Sequence, residues 1–357
     1  MSSGSPRLGG LRARALSAVV VVALLGAASA TPTSASSSGV RVWTIHYRAH
    51  NGARRIAYVA LPAWYGPKKH PSIALVISPH GRGVSARANL RLFGRLPAEG
   101  AFAVVSPAGQ GRVLALQSWG ALGQIEDLAR MPQIVHRTLP WLQVDRRRVY
   151  AVGGSMGAQE SLLLLARHPH LLAGVAAFDS VTDFALQYRE FPRLGCDKRC
   201  LTQLRGSIGE MLQGMARREV GGSPTRARLA WKLRSPITYA RRIATSHVPL
   251  ELWWSTKDAI VLDQGRQTKR LFDEIRRLNP DAPVTAYQGY WRHSAEMRSN
   301  TRLPLALAEL GLMPELAPSE DVQLAKAVRL FAAPEPPGPP QPRAAVDGEA
   351  WPPDRQA

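Results

Sequence analysis

Acidic residues are scarce in this chain. Its 26 Asp and Glu residues stand against 46 Lys and Arg residues, so the formal net charge at pH 7 is +20. A field of this sign attracts anionic surfaces such as nucleic acids, wall polymers or membrane headgroups. However, no basic run is interleaved with aromatic residues, as it commonly is in nucleic-acid-binding proteins. We therefore expect no nucleic-acid partner and interpret the arginines as charge spread over a solvated surface.

Long apolar segments are equally absent. The apolar run at residues 15–25 is too short to cross a bilayer comfortably, and no second long run follows it. Arginines precede this run, and the small side chains at residues 28–30 are typical of a signal-peptidase site. We expect residues 1–30 to be a secretory signal peptide, the mature protein to be secreted, and no membrane span to remain after processing.

Cysteine is nearly absent too, since the chain has only Cys196 and Cys200. In an exported chain, two cysteines this close in sequence favour a local disulfide that closes a small loop. A metal centre needs more ligands than two thiols, and no histidine pair lies near them. We therefore expect a disulfide between Cys196 and Cys200 and no metal site.

The composition that remains is globular, with 45% hydrophobic and 20% charged residues. A chain of 357 residues can bury a large core in one domain that has processed or disordered ends. We place that domain at residues 40–332. The Ser- and Thr-rich residues 31–39 predict a flexible spacer. The Pro-rich residues 333–357 lack apolar side chains to bury, which predicts a disordered tail.

Within the domain, apolar strands alternate with amphipathic helices. Residues 72–78 and 101–106 are continuous apolar runs, typical of strands that are buried on both faces. Residues 123–139 have apolar side chains at helical spacing and predict one helix. This alternation predicts an α/β fold with a mostly parallel sheet covered by helices on both faces.

Three segments flank or interrupt this alternation. Residues 40–47 and 55–61 alternate apolar and polar side chains around an Asn-Gly turn, which predicts an antiparallel hairpin. Residues 319–331 are expected to form a closing helix. Residues 184–247 break the rhythm with amphipathic helical stretches, and we interpret them as a helical insertion that forms a lid; ordinary connecting helices are the alternative.

The clearest functional signal is the stretch Gly153-Gly154-Ser155-Met156-Gly157. A predicted strand precedes it and a Leu-rich predicted helix follows it, so this Gly-x-Ser-x-Gly pattern has the strand–turn–helix context of a nucleophile elbow. Its glycines allow a turn tight enough to strain the serine backbone. We predict that Ser155 is a nucleophile exposed at the carboxyl edge of the sheet, the alternative being a chance match of a short pattern.

A serine nucleophile needs a histidine as general base and a carboxylate that holds the histidine. On an α/β sheet with such an elbow, the acid and then the histidine follow the serine, each at the carboxyl end of a strand. Asp258 follows the predicted strand at residues 250–255, and His293 follows the last predicted strand. Asp179, which follows an earlier strand, is the alternative acid.

Acyl transfer also needs backbone donors for the oxyanion of the tetrahedral intermediate. By position, Met156 supplies one N–H group because it directly follows the nucleophile. The Gly-rich loop after the strand at residues 72–78 would supply the other from Gly81 or Arg82, with an ordinary turn as the alternative. This chemistry needs no metal and no cofactor, and we expect neither.

Together these residues resemble the catalytic domain of prolyl oligopeptidase-type serine peptidases, which belong to the α/β-hydrolase superfamily. The resemblance covers residues 40–331 and is carried by the elbow, His80-Gly81, Arg234-Ser235-Pro236 with Tyr239, Asp258-Ala259-Ile260-Val261 with Gln264, and His293-Ser294. It implies an α/β-hydrolase catalytic domain with Ser155 as nucleophile, Asp258 as acid and His293 as base.

Two departures from this family affect the expected substrate. The chain has no repeats that would form the family's β-propeller, and Arg82 stands where the family's loop more often has a small residue. Exported feruloyl esterases and polyhydroxyalkanoate depolymerases are similar in elbow, loop and size. We expect a secreted serine peptidase that acts on peptides or small molecules. The alternatives are a carboxylic ester hydrolase and a non-catalytic binding protein with the same fold.

Overall fold

A computed structural model describes residues 31–35, 39–194, 208–298, 300–314, 322–324 and 328–331. Its strands are β1 (Thr31–Ala35), β2 (Val40–Arg48), β3 (Arg54–Pro62), β4 (Ile73–Ile77), β5 (Phe102–Pro107), β6 (Val144–Gly154), β7 (Gly174–Phe178), β8 (Leu250–Ser255), β9 (Val284–Gly289), β10 (Val322–Leu324) and β11 (Val328–Phe331). The predicted signal peptide, the cysteine pair and the Pro-rich tail lie outside the described residues.

The helices of these segments connect and cover the strands. They are α1 (Ala86–Arg91), α2 (Leu96–Glu99), α3 (Leu122–Ala129), α4 (Met131–Thr138), α5 (Met156–Arg167), α6 (Phe184–Glu190), α7 (Ile208–Val220), α8 (Arg228–Leu233), α9 (Ala240–Ala244), α10 (Thr268–Leu278) and α11 (Arg302–Glu309). Short 3-10 turns lie at Pro169–Leu171, Phe191–Arg193, Pro236–Tyr239 and Ala295–Arg298. None of the helices in the described ranges is long and apolar enough to span a membrane.

The strands form one twisted sheet in the order β1-β2-β3-β5-β4-β6-β7-β8-β9-β11-β10. All neighbours from β5 to β9 in this order are parallel, whereas β3 runs antiparallel to β5 and to β2. The predicted mostly parallel α/β sheet is therefore confirmed. Because β6, β7, β8 and β9 run in the same direction, the loops that follow them meet at one edge of the sheet.

Two apolar cores cover the faces of this sheet. On β4, Ile73, Leu75 and Ile77 belong to a core shared with α3, α4, α5, α9 and α10. Ala74 and Val76 point into the opposite core, which includes side chains of α1 and α11. This period of two is the geometry of a strand, and its apolar side chains on both faces explain why β4 is apolar throughout. The sheet that carries the site is thus buried on both faces.

A third apolar cluster lies over the carboxyl edge. It joins side chains of the 184–247 segment, among them Phe184, Leu212 and Trp231, to Met156 and Val261 near the predicted site. The rings of Phe184 and Trp231 contact each other with centroids 4.6 Å apart. The described parts of the segment are helical, as predicted, whereas its mobility as a lid stays a prediction.

Local pairing confirms one of the flanking predictions and corrects others. β2 and β3 form the antiparallel hairpin. The predicted helix at 123–139 is two helices, α3 and α4, because Pro132 in the first turn of α4 has no N–H to donate to the preceding turn.

Both ends of the domain also differ from the expectation. Within the predicted spacer, Thr31–Ala35 forms a strand on the exposed edge of β2. At the other end, the expected helix at 319–331 is replaced in its described parts by β10 and β11, because β11 pairs with the free edge of β9. Helix α11, which carries Pro304 within its first turn, was not anticipated.

We expect Gly157→Ala to destabilise the protein, because a Cβ atom at this position would collide with the backbone carbonyl oxygen of Pro79. Overpacking of this kind costs about 1–3 kcal/mol or more. The matched control is Gly214→Ala on α7, where a Cβ atom meets nothing within 4 Å and alanine is the better helix former. Urea unfolding followed by tryptophan fluorescence measures both, and equal stabilities for the two variants would contradict this packing.

Candidate active site

Ser155 lies at the sharp turn between β6 and α5. Its backbone has φ 58° and ψ −121°, a left-handed conformation that a residue with a Cβ atom seldom adopts. The turn is held by a hydrogen bond of 2.8 Å from the Ser155 N–H to the carbonyl oxygen of Phe178 on β7. Strain of this kind persists only where the surroundings enforce it, and it projects the partly exposed serine from the sheet edge.

The neighbouring glycines make this turn possible. A Cβ atom on Gly153 would lie 2.6 Å from the carbonyl oxygen of Gly157, so the backbone segments before and after the serine are in direct contact. Helix α5 then enters the core, and every residue from Met156 to Ala166 is buried. The elbow predicted from the sequence is therefore present in its full structural context.

Asp258 and His293 also meet as predicted. The Nδ1 atom of His293 lies 2.8 Å from Oδ2 of Asp258. The carboxylate also accepts N–H groups from Ile260 at 2.8 Å, Val261 at 2.9 Å and the Gln264 side chain at 2.9 Å. With its side chain only 1% exposed, against 17% for His293, the aspartate is a fixed acceptor that orients the ring.

The surroundings of His293 shift the pKa of its ring in opposite directions. Burial lowers its pKa, but the hydrogen bond and charge of Asp258 raise it, and the nearby Asp179 adds to the rise. The net effect is a pKa above the ordinary value of histidine. When the ring is neutral, Nδ1–H donates to Asp258 and Nε2 is left as the proton acceptor.

The loop that carries His293 lies beside the elbow. A Cβ atom on Gly154 would lie 3.2 Å from Oγ of Ser294, so the loop carrying His293 packs against the elbow. Within the described residues, the Ser155 hydroxyl forms no hydrogen bond. Such contacts are often loose before substrate binds, and the arrangement brings together nucleophile, base and acid at one edge.

Asp179, the alternative acid, has a different task. It is fully buried and bonds backbone N–H groups, from Ser255 at 2.9 Å and Ser294 at 2.7 Å. Burial raises its pKa well above the ordinary value, and the neighbouring carboxyl of Glu296 raises it further. Burial likewise raises the pKa of Glu296 to about 7. Both members of this buried carboxyl pair thus have raised pKa values, and Asp179 supports the loop after His293, whereas Asp258 holds the ring.

In the described part of the chain, one cluster has side-chain donors close enough for a metal ion. Atoms of Asp179, Asp258 and His293 lie within 4.8 Å of one another. However, all four carboxylate oxygens already accept N–H hydrogen bonds or hold the His293 ring. Each of these oxygens thus already has a protein partner, and the cluster fits an acid–histidine pair with a supporting carboxyl group.

The predicted oxyanion loop lies beside the elbow. A Cβ atom on Gly81 would be 3.9 Å from the carbonyl oxygen of Gly154. His80, which with Gly81 belongs to the motifs of the family resemblance, holds this loop: the Gly109 N–H donates to its Nε2 at 3.0 Å, so its Nδ1–H donates to the Gly81 carbonyl at 2.8 Å. Burial lowers the pKa of His80, so it stays neutral in this role. Met156 is the first residue of α5, directly after Ser155, and the role of its N–H as an oxyanion donor stays a prediction.

A buried ionic network joins the 184–247 segment to the elbow. Glu219 at the end of α7 accepts backbone N–H groups from Val113 at 2.8 Å and Leu114 at 3.0 Å. Arg234 lies 3.4 Å from Glu219 and donates to the Ser118 carbonyl at 2.7 Å. This role of Arg234 depends on contacts with residues distant in sequence, so local sequence patterns do not show it.

The network ends on the elbow helix. The Ser118 hydroxyl donates to the Glu160 carboxyl, and its next neighbour Trp119 donates its backbone N–H to Sδ of Met156 at 3.3 Å. Burial raises the pKa of Glu160 to about 7. Hydrogen bonds and an ion pair therefore connect the 184–247 segment to α5.

The cavity at Ser155 is small. It holds about 20 Å³ and is lined by Arg82, Trp119, Ser155, Met156, Val181, Gln187, Phe191, Leu212, Ile260 and Val261. This volume fits about one water molecule, so a substrate must extend beyond this cavity or displace some of its side chains. A larger cavity of about 880 Å³ lies between α4, β6 and the end of α5, but none of the triad residues lines it.

No protein-family model matches this chain. No curated protein matches it either. Solved structures do match. The acylaminoacyl peptidase of Pyrococcus horikoshii superposes with a TM-score of 0.55 at 15% identity, over 78% of this chain and 43% of that one. This chain thus spans less than half the length of that peptidase.

Two esterases superpose over nearly their whole length. A thermostable carboxylesterase from a metagenomic library has a TM-score of 0.55 at 16% identity, over 81% of this chain and 92% of its own. An S-formylglutathione hydrolase from Agrobacterium tumefaciens has a TM-score of 0.53 at 13% identity, over 79% of this chain and 99% of its own. At these identities, the likeness is one of fold.

The two acids can be separated by the pKa of His293. We expect Asp258→Asn to lower this pKa, because it removes the negative charge that the ring contacts directly. Asp179→Asn should lower it less, since burial already favours the neutral form of Asp179. Histidine NMR titration, assigned with His293→Gln, measures both. A larger decrease in Asp179→Asn would identify Asp179 as the acid instead.

Proposed function

We propose that this chain, whose fold is that of the α/β-hydrolase superfamily, is a secreted serine hydrolase that cleaves acyl bonds through an acyl-enzyme. The observation that carries the proposal is the hydrogen bond of 2.8 Å between His293 and a fully engaged Asp258 at the edge where Ser155 is strained. A binding protein has no need of this costly arrangement. The predicted signal peptide at residues 1–30 supports secretion.

In the proposed reaction, Ser155 Oγ attacks the carbonyl carbon of the substrate while His293 Nε2 takes its proton. Asp258 stabilises the resulting imidazolium. The negative oxygen of the tetrahedral intermediate accepts the N–H of Met156 and a second N–H from the loop at Gly81. Each such donor contributes about 2.7–4 kcal/mol to transition-state stabilisation.

The intermediate collapses when His293 returns the proton to the leaving group, which departs and leaves the acyl group on Ser155. Water then attacks the acyl carbon, again with His293 as base, and releases the acid. This second half restores the free serine. Because Nε2 must be unprotonated to begin, activity rises with pH through the pKa of His293, above the ordinary histidine value.

Between the substrate classes, we favour a peptidase of the prolyl oligopeptidase type. The motif set that includes Arg234-Ser235-Pro236 supports it, and Arg234 links the helical segment to the elbow through Ser118. A carboxylic ester hydrolase is the second candidate. It is favoured by the nearly complete coverage of two esterases, whereas the matched peptidase is more than twice as long as the matched region.

A fluorophosphonate probe tests the enzymatic proposal. We expect it to label the wild type and not Ser155→Ala, because only an activated serine reacts with it at neutral pH. The matched control is Ser161→Ala on the same helix, whose hydroxyl merely bonds the Gly157 carbonyl at 2.9 Å and which should still be labelled. Labelling of Ser155→Ala at the wild-type rate, or of neither protein, would refute the nucleophile.

The same proteins separate the two substrate classes. We expect the wild type to hydrolyse aminoacyl amides as well as short aryl esters, with both activities lost in Ser155→Ala. Aryl esters are intrinsically easier to cleave, so their turnover alone does not decide. Ser155-dependent ester hydrolysis without any amide hydrolysis would select the esterase.

A further inference from the structure

Arg82 contributes the one charged side chain among the described residues that line the Ser155 cavity. It directly follows Gly81, in the loop that packs against the elbow. Its charge is close enough to His293 to act on the pKa of that ring. A cation therefore lies in the wall of the site beside both the nucleophile and the base.

This half-buried cation lacks the acidic partner that two buried arginines have. Arg55 lies 3.4 Å from Asp127, and Arg234 lies 3.4 Å from Glu219. In the ranges that the structure describes, the Arg82 guanidinium makes neither a hydrogen bond nor an ion pair. Burial lowers its pKa, and no acidic side chain offsets that decrease. A half-buried cation without an acidic partner gains from pairing with an anion when one is available.

The acids of the site are not available for this pairing. Asp258 is occupied by His293 and three N–H donors, and Asp179 by two backbone N–H groups. Beyond them, the exposed neighbours of the acid and the base are Lys257 and Arg292, which add positive charge. Within the described ranges, neither acid of the site is therefore free to pair with Arg82, and an anionic substrate can supply the partner.

The surroundings indicate what kind of anion fits. The rest of the cavity wall is mostly apolar, with Trp119, Val181, Phe191 and Leu212 among its side chains. The planar guanidinium fork matches a carboxylate, which it binds through two parallel hydrogen bonds. An apolar chain that ends in a carboxylate satisfies both features.

We propose that Arg82 binds a carboxylate of the substrate, so that the preferred substrates are acyl compounds with a free carboxylate a few bonds from the carbonyl that is cleaved. This rests on the proposed hydrolase function and assigns its substrate class. The carboxylate belongs either to the acyl part, as in a dicarboxylic acid monoester, or to the leaving group, as in a peptide with a free carboxyl end.

The test compares matched charged and neutral esters. For the acyl side, the substrates are p-nitrophenyl hemiglutarate and p-nitrophenyl valerate. For the leaving group, they are 3-(butyryloxy)benzoate and its methyl ester. We expect the wild type to prefer the charged member of one pair in kcat/KM, and the pair identifies the source of the carboxylate.

In Arg82→Gln, that preference should fall by about 10- to 100-fold, the usual size of a charge-assisted hydrogen bond. Arg82→Lys should retain part of it, because the charge stays and the fork is lost. The matched control is Arg87→Gln on α1, an exposed arginine whose loss changes the net charge equally. Its preference should stay that of the wild type.

Several outcomes would overturn the proposal. If Arg82→Gln loses kcat/KM equally on charged and neutral esters, the Arg82 side chain would instead stabilise the oxyanion of the intermediate. If Arg87→Gln also loses the preference for the charged ester, or if salt suppresses this preference equally in all variants, the preference would come from the overall positive charge of the protein and not from Arg82. Ser155-dependent hydrolysis of neutral esters with no charge preference would refute this inference and leave the hydrolase intact, whereas no Ser155-dependent hydrolysis at all would refute the hydrolase.

Discussion

The backbone of Ser155, held at φ 58° and ψ −121°, is the constraint on which the site depends. A strand that ends here must turn into a helix within one residue, and that turn requires glycine on both sides. The cost is met by the surroundings: β7 bonds the Ser155 N–H, and the loop at Pro79 packs against Gly157. Since α5 is buried on all sides, the serine can relax only if the sheet core moves with it.

The same edge collects the remaining groups because parallel strands end there. β8 leads to Asp258 and β9 leads to His293, whereas β7 leads to Asp179, whose carboxyl group bridges the backbone at Ser255 and Ser294. The two acids thus differ in their environment: Asp258 contacts the ring of His293, whereas Asp179 bonds backbone N–H groups and has a pKa raised by burial. Above this edge, Glu219 and Arg234 connect the helical segment to the backbone at Ser118, whose hydroxyl bonds Glu160 on α5.

Local pattern predicted most of the strands and the places of Ser155, Asp258 and His293 at one edge of the sheet. The elbow, Asp258 and His293 each sit in short stretches whose strand, turn and residue types are readable without neighbours, and the alternation of strands and helices predicted the sheet. Other features needed contacts between distant residues. His80 acts through Gly109, Glu296 through Asp179, and Glu219 through a loop more than a hundred residues earlier. The end strand β11 was missed for the same reason, since only the open edge of β9 makes it a strand.

The central claim is that Ser155 carries the acyl group during turnover, and mass spectrometry of the trapped intermediate tests it most directly. The protein is incubated with p-nitrophenyl valerate, quenched in acid and digested with trypsin, which releases residues 149–167 as one peptide. We predict that this peptide gains one valeryl group, located on Ser155 rather than Ser161, and that the adduct disappears once the ester is consumed. Ester hydrolysis with no adduct on Ser155, or with a persistent adduct on another residue, would contradict the account.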